Sequence, residues 1–171
     1  VGDYPVDQHH TRYTGWEALP NLYFHSIPSY GLPMGTMLPK GVKNFIVAEK
    51  SISVSNIVNG STRLQPVVMQ IGEASGIIAA LAAMQDIEPK DVNVRDVQRE
   101  VLRGDGYLLP FLDIPSSHPH FDAVQRIGVT GIMRGKGMTV GWENQTWFYT
   151  DEKITTAELA AGLDSYNPNY K

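Results

Sequence analysis

One stretch constrains this chain more than any other: residues 64–85, L-Q-P-V-V-M-Q-I-G-E-A-S-G-I-I-A-A-L-A-A-M-Q. It is rich in alanine, glycine and aliphatic residues and long enough for about six helical turns. The pattern predicts a long buried helix over 64–85. Pro66 suits its first turn, where a missing N–H would have had no partner. Gly72 and Gly76 lie four apart and share one face, and each costs about 1 kcal/mol of helix stability relative to alanine. Close approach of another backbone or a ligand would offset that cost. Upstream, Phe45–Ala48 is a short apolar run with β-branched Ile46 and Val47, which reads as a buried strand. Downstream, Asn93 reads as an N-cap, with a helix running to about Leu102 and Gly104 ending it.

The flanks read differently. Glycine (16) and proline (11) concentrate before residue 45, so that part is expected to be loop-rich, with Leu22–His25 and Ile27 as an extended piece before Pro28. Residues 107–119 are punctuated by proline and mark a domain boundary. Beyond it, Phe121, Val124, Ile127 and Ile132 fall near helical spacing, with Gly131 as a stop. Gly135-Lys-Gly137 reads as a polar loop. Thr155 followed by Glu158 is a capping-box pattern. If Trp147-Phe148-Tyr149 is extended, Phe148 faces inward and its neighbours outward. Phe121, Ile127, Ile132, Phe148, Ile154 and Leu159 are the expected interior. The fold class is therefore α+β: a loop-rich segment with short strands and a long buried helix (1–106), a linker (107–119), and a small helix–loop–helix appendage (120–171).

Composition excludes several functions. At 171 residues with 42% hydrophobic content, the chain can bury a core of one domain or two small ones. A net charge of -4 gives no reason to expect a nucleic-acid partner. No apolar run reads as long enough to span a membrane, because Glu73 and Gln85 bracket Ile77–Met84. The absence of cysteine excludes disulfides and thiolate metal sites. His9, His10 and His25 lack helical ligand spacing, and His118 with His120 reads as solvated, so no metal is expected.

Several short motifs, in order, resemble a family of bacterial FAD-dependent oxidoreductases. The strand-like run carries Asn44, Val47 and Ala48. Ile52, Ser53, Ser61 and Arg63 match an I-S and an S-x-R. Met69, Gly72, Ala74 and Gly76 match a helix with G-x-A-x-G. Tyr4-Pro-Val-Asp-Gln-His9 resembles a Y-x-x-D-x-H, and Ile27-Pro28, Leu32 and Pro39-Lys40 resemble I-P-Y-x-x-L-x-P-K. Asp91, Val97, Gln98, Leu102 and Gly106 fit the family's ending. The resemblance covers roughly the first two thirds of the chain. It implies part of a flavin-binding α/β fold, FAD as cofactor, a small organic substrate, and hydride transfer to the flavin. It also implies an N-terminal βαβ unit with G-x-G-x-x-G that seats the pyrophosphate. No such motif occurs in this sequence. The chain thus reads as a C-terminal piece that needs a missing FAD-binding region as partner, expected to bind FAD weakly or not at all and to be inactive by itself. Its compartment reads as either bacterial cytoplasm or exported.

Within the resemblance, the helix start is the cofactor side: Ser61, Arg63, Gln65, Val67 and Val68, with N–H groups near Val67 and Val68 facing the flavin pyrimidine. Asp7 and His9 are the catalytic candidates, a carboxylate orienting an imidazole base. Tyr23, Phe24, Pro28 and Tyr30 are candidate pocket walls. Glu49 stands where the related pattern has glycine. Residues 120–171 resemble a single S-layer-homology repeat, with Ala123–Ile127, Gly131-Ile132, Phe148, Asp151, Ile154-Thr155 and Ala157-Glu158 matching. Thr156 stands where the repeat has arginine, which favours a structural appendage. The alternative reading is a non-enzymatic glycan or cell-wall binding module, or a structural interaction module.

Overall fold

Helix α2, Gln65–Gln85, is the longest element of the computed structural model, which describes residues 1–7, 27, 29–141 and 143–167. Before it comes α1, Asn56–Thr62; after it come α3, Val94–Arg103, and α4, Phe121–Thr130. A hairpin of β1, Lys136–Val140, and β2, Glu143–Trp147, leads to α5, Thr156–Tyr166. The fold is mixed helix and two-stranded antiparallel sheet, an α+β arrangement, as expected.

Local signals explain the helix ends. α2 begins with Pro66 in its first turn and ends at Asp86, which takes a left-handed conformation (φ 52°). The N–H groups of Asp86 and Ile87 return to the carbonyls of Ala82 and Ala83, closing the last turn. Asn93 caps α3 by accepting from the Arg95 N–H at 2.9 Å. Gly104 ends α3 and Gly131 (φ 77°) ends α4. Thr155 and Glu158 form the expected capping box on α5.

Two apolar clusters hold the described chain. The first joins Val67, Ile71, Ile78 and Ala82 of α2 to Met37, Ile52, Val92 and Val97. α2 packs on α3 through this side. The second joins Leu102 of α3 to Phe111, Ile114, Phe121 and Val124, with Phe148 against it. The proline-rich segment after residue 107 thus contributes core residues of its own.

Several expectations need correction. α2 is buried on one side only: Met69 and Met84 are 74% and 82% exposed. A Cβ at Gly72 or Gly76 would meet no atom within 4 Å, so among the described residues nothing approaches that face. By length and composition α2 is also apolar enough to cross a membrane, with a mean hydropathy of 1.7. A half-buried core helix passes the same test. Residues 45–48 are extended but join no ladder; Val47 N–H bonds the Met37 carbonyl at 2.8 Å, and Phe45 is 54% exposed. Of Gly135-Lys-Gly137, expected as a polar loop, Lys136 and Gly137 open β1, because Gly141 (φ 60°) permits a tight reversal into β2. The C-terminal part is therefore helix–hairpin–helix. Ile154 and Leu159, expected inside, are exposed.

Candidate functional site

Four segments converge at the start of α2. The first is α1, which the sequence reading missed although Ser55 is a good N-cap, accepting from the Val58 N–H at 3.3 Å. Near its end, Ser61 and Thr62 both donate to the Val58 carbonyl, each at 3.0 Å. Ser61 is fully buried, and its hydroxyl is 2.5 Å from that of Tyr30. Tyr30 in turn forms an isolated antiparallel bridge with Gly2, through bonds of 2.8 and 3.0 Å. A Cβ at Gly2 would collide with the Tyr30 ring, so this close crossing requires glycine. Asp7 N–H reaches the Gly60 carbonyl at 3.4 Å.

Arg63 sits between α1 and α2. Its Nη2 donates to the Asp7 carboxylate at 3.0 Å and to the Asp7 main-chain carbonyl at 3.1 Å. The pair is partly buried, which makes it worth more than a solvated surface pair. Two sequence candidates assigned to different roles are thus brought together.

The first turn of α2 has no side-chain cap. Pro66 offers no N–H, and the Val68 N–H is satisfied by the Leu64 carbonyl at 2.9 Å. This corrects the expectation of a free donor at Val68. The N–H groups of Gln65 and Val67 have no acceptor inside the helix, and the helix dipole adds positive character there. Gln65 is exposed, whereas the side chains of Val67 and Val68 are buried.

A cleft of about 570 Å³ opens beside this turn. Leu64, Pro66 and Val67 form one side, and Tyr107, Pro110, Leu112 and Pro115 the other. The Val1 amine, at its rim, donates to Gln70 Oε1 at 3.1 Å.

The second wall is held by a residue that sequence reasoning overlooked. Gln125 is 0% exposed and sits on α4. Its Oε1 accepts from the N–H groups of Leu108 and Leu109 at 2.7 and 2.8 Å, and its Nε2 donates to the Leu109 carbonyl at 2.8 Å. The available signal was a glutamine one residue from Val124 on the apolar side of a predicted helix. Asp113 anchors the other end by accepting from the N–H groups of Phe148 and Tyr149, at 2.9 and 2.7 Å. That grip holds Tyr149 in a left-handed conformation (φ 60°).

His9, Tyr23, Phe24 and Pro28 lie outside the described residues, as do His10 and His25. Glu49 has φ 58°, a conformation natural to the glycine of the related pattern. Among the described residues no group of three or more His, Asp or Glu is arranged to hold a metal. The α2 start presents two donors without intrahelical acceptors near an apolar cleft. The sequence has no glycine-rich turn of the type that seats a dinucleotide pyrophosphate.

No curated protein and no solved structure matches the chain. The family described as FAD dependent oxidoreductase matches residues 1–101. That span ends within α3 and contains α1, α2 and the Asp7–Arg63 pair. The chain belongs to the FAD dependent oxidoreductase family, whose cofactor is FAD.

Proposed function

We propose that this chain is the C-terminal, ring-facing part of an oxidoreductase that takes a hydride from a small organic substrate. The observation that carries this reading is the start of α2. There the donors of Gln65 and Val67 lack intrahelical acceptors and lie beside an apolar cleft, next to an arginine fixed by Asp7. FAD, when bound, supplies the hydride acceptor. The chain's own contribution is to offer the positive end of α2 to the ring edge where negative charge gathers on reduction. Ser61, buried and bonded to Tyr30, fixes the turn that presents Arg63. His9 is the proposed base, two residues from Asp7.

The Met69, Gly76 and Met84 face of α2, exposed among the described residues, supports a partner layer, proposed as the FAD-binding region that carries the pyrophosphate site. For residues 120–171 we propose an S-layer-homology-like structural appendage. Thr156 in place of arginine argues against wall binding, and the hairpin between α4 and α5 departs from a plain helix–loop–helix.

The test uses the whole parent protein. It should purify with flavin, and His9→Ala should slow flavin reduction by roughly 10²–10⁴-fold while FAD stays bound. A parent that neither carries nor takes up FAD overturns the reading. Unchanged reduction by the His9 variant removes His9 from it.

A further inference from the structure

We infer that Thr146, on β2, is a positioning residue for the Arg63–Asp7 pair at the start of α2, and that it acts through Ser29 and Tyr30. The inference rests on the proposed oxidoreductase reading only for what that site does. Thr146 lies beyond residue 101, where the family match ends, so this support comes from the chain's C-terminal part.

Thr146 is buried, and the backbone that carries it is held on both edges. It pairs with Gly137 of β1 on one side, and on the other its carbonyl accepts from the Leu112 N–H at 2.9 Å. Gly135 lets the base of the hairpin close onto the same segment, since a Cβ there would collide with the Phe111 ring and the Trp147 carbonyl. Gln125 and Asp113 fix that segment in turn. The Thr146 hydroxyl is therefore presented from a rigid support.

Thr146 Oγ1 donates to Ser29 Oγ at 2.8 Å, and Ser29 Oγ donates to the Asp3 carboxylate at 2.5 Å. A hydroxyl has one proton, and that of Ser29 is engaged by Asp3, so Thr146 is the donor of its own bond. Tyr30 follows Ser29 directly. It exchanges two main-chain bonds with Gly2, and its phenol meets the Ser61 hydroxyl. Ser61 already donates to the Val58 carbonyl, so the phenol donates to Ser61. Ser61 is two residues from Arg63, and Asp7 is held by Arg63 and by the Gly60 carbonyl. One run of contacts thus leads from β2 to the ion pair. The bridge between Gly2 and Tyr30 is isolated, and two backbone bonds without a sheet are marginal by themselves. Side-chain anchors such as Thr146 therefore decide where these segments lie.

The test compares Thr146→Val, which keeps the shape and loses the donor, with Thr146→Ser, which keeps the donor. Ser29→Ala breaks the same run from its other side. Amide exchange and the Arg63 guanidinium resonances of the 171-residue chain are read by NMR. Thr146→Val and Ser29→Ala should each speed exchange of the Tyr30 N–H by about fivefold, as the loss of one hydrogen bond implies, and should shift the Arg63 signals. Exchange within α3 should stay as it was, and Thr146→Ser should behave as the wild type. In the Ser29→Ala background, Thr146→Val should add little, because the bond is already gone. Unchanged Tyr30 exchange in both variants overturns the inference, as do Arg63 signals that stay in place. So does a serine variant that behaves like the valine one, or exchange that rises equally in α3, which marks general destabilisation. A parent protein lacking flavin defeats the oxidoreductase reading separately and leaves these results as they are.

Discussion

Arg63 reaches Asp7 across 56 residues of sequence and grips it twice, at the carboxylate and at the main-chain carbonyl. That double contact ties the N-terminal segment to the turn between α1 and α2. Removing the arginine leaves a mostly buried carboxylate without this partner. Arg63→Ala is therefore expected to destabilise the chain by about 1–3 kcal/mol. Asp7→Asn should cost less, because the amide oxygen and the main-chain carbonyl still accept. Urea unfolding of both single variants and the double variant checks the order. Equal costs for the two would show that the pair is not the source of the stability.

Gln125→Ala should be the more damaging change. It strands two N–H donors and one carbonyl in the interior, and each stranded group costs about 1–3 kcal/mol. Amide exchange at Leu108 and Leu109 should accelerate well beyond that of α2. Exchange there that matches the wild-type chain would mean the clamp is dispensable.

Glycines on α2 offer a test of its open face. A Cβ at Gly76 meets nothing among the described residues, so Gly76→Ala should stabilise the 171-residue chain by up to about 1 kcal/mol. In the whole parent the same change should destabilise, because a layer packed on that face leaves no space for a methyl. Stabilisation in both contexts would argue that nothing covers α2.

FAD binding by the 171-residue chain alone should be weak, with no sub-micromolar phase in a flavin-fluorescence titration. The affinity for pyrophosphate resides in a glycine-rich turn that this sequence lacks. A tight complex would contradict the division of labour proposed above.

Acid should fray α5 before the rest. Glu158 is held below the usual glutamate range, first by the Thr155 N–H and then by the Thr155 hydroxyl. A carboxylate with a depressed pKa in the folded state adds stability above its unfolded value, near 4.5, and that stability is lost as pH falls through the depressed folded value. Thr155→Ala removes the hydroxyl but keeps the N–H, so it should reduce this pH dependence without abolishing it, read from amide exchange in α5. α5 has no buried residue, so its cap matters more than its packing.

Much of the fold was written locally. Pro66, Asn93, Gly104, Gly131 and the Thr155–Glu158 box set the ends of α2, α3, α4 and α5, because caps act within a turn of their own residue. The family signature in residues 1–101 was legible for a similar reason: it lies in residue types at short spacings. What the sequence alone left undecided depends on contacts far apart along the chain. Residues 45–48 have strand character, yet a strand needs a partner's hydrogen bonds, and among the described residues only Met37 offers one. The β1–β2 hairpin, conversely, has polar, glycine-containing strands with weak propensity, and pairing together with the parallel bridge from Phe111 to Thr146 decides it. Asp7 with Arg63, Ser61 with Tyr30, and Gln125 with the 107–115 wall are matters of tertiary structure, because packing alone brings residues so distant in sequence within hydrogen-bonding reach.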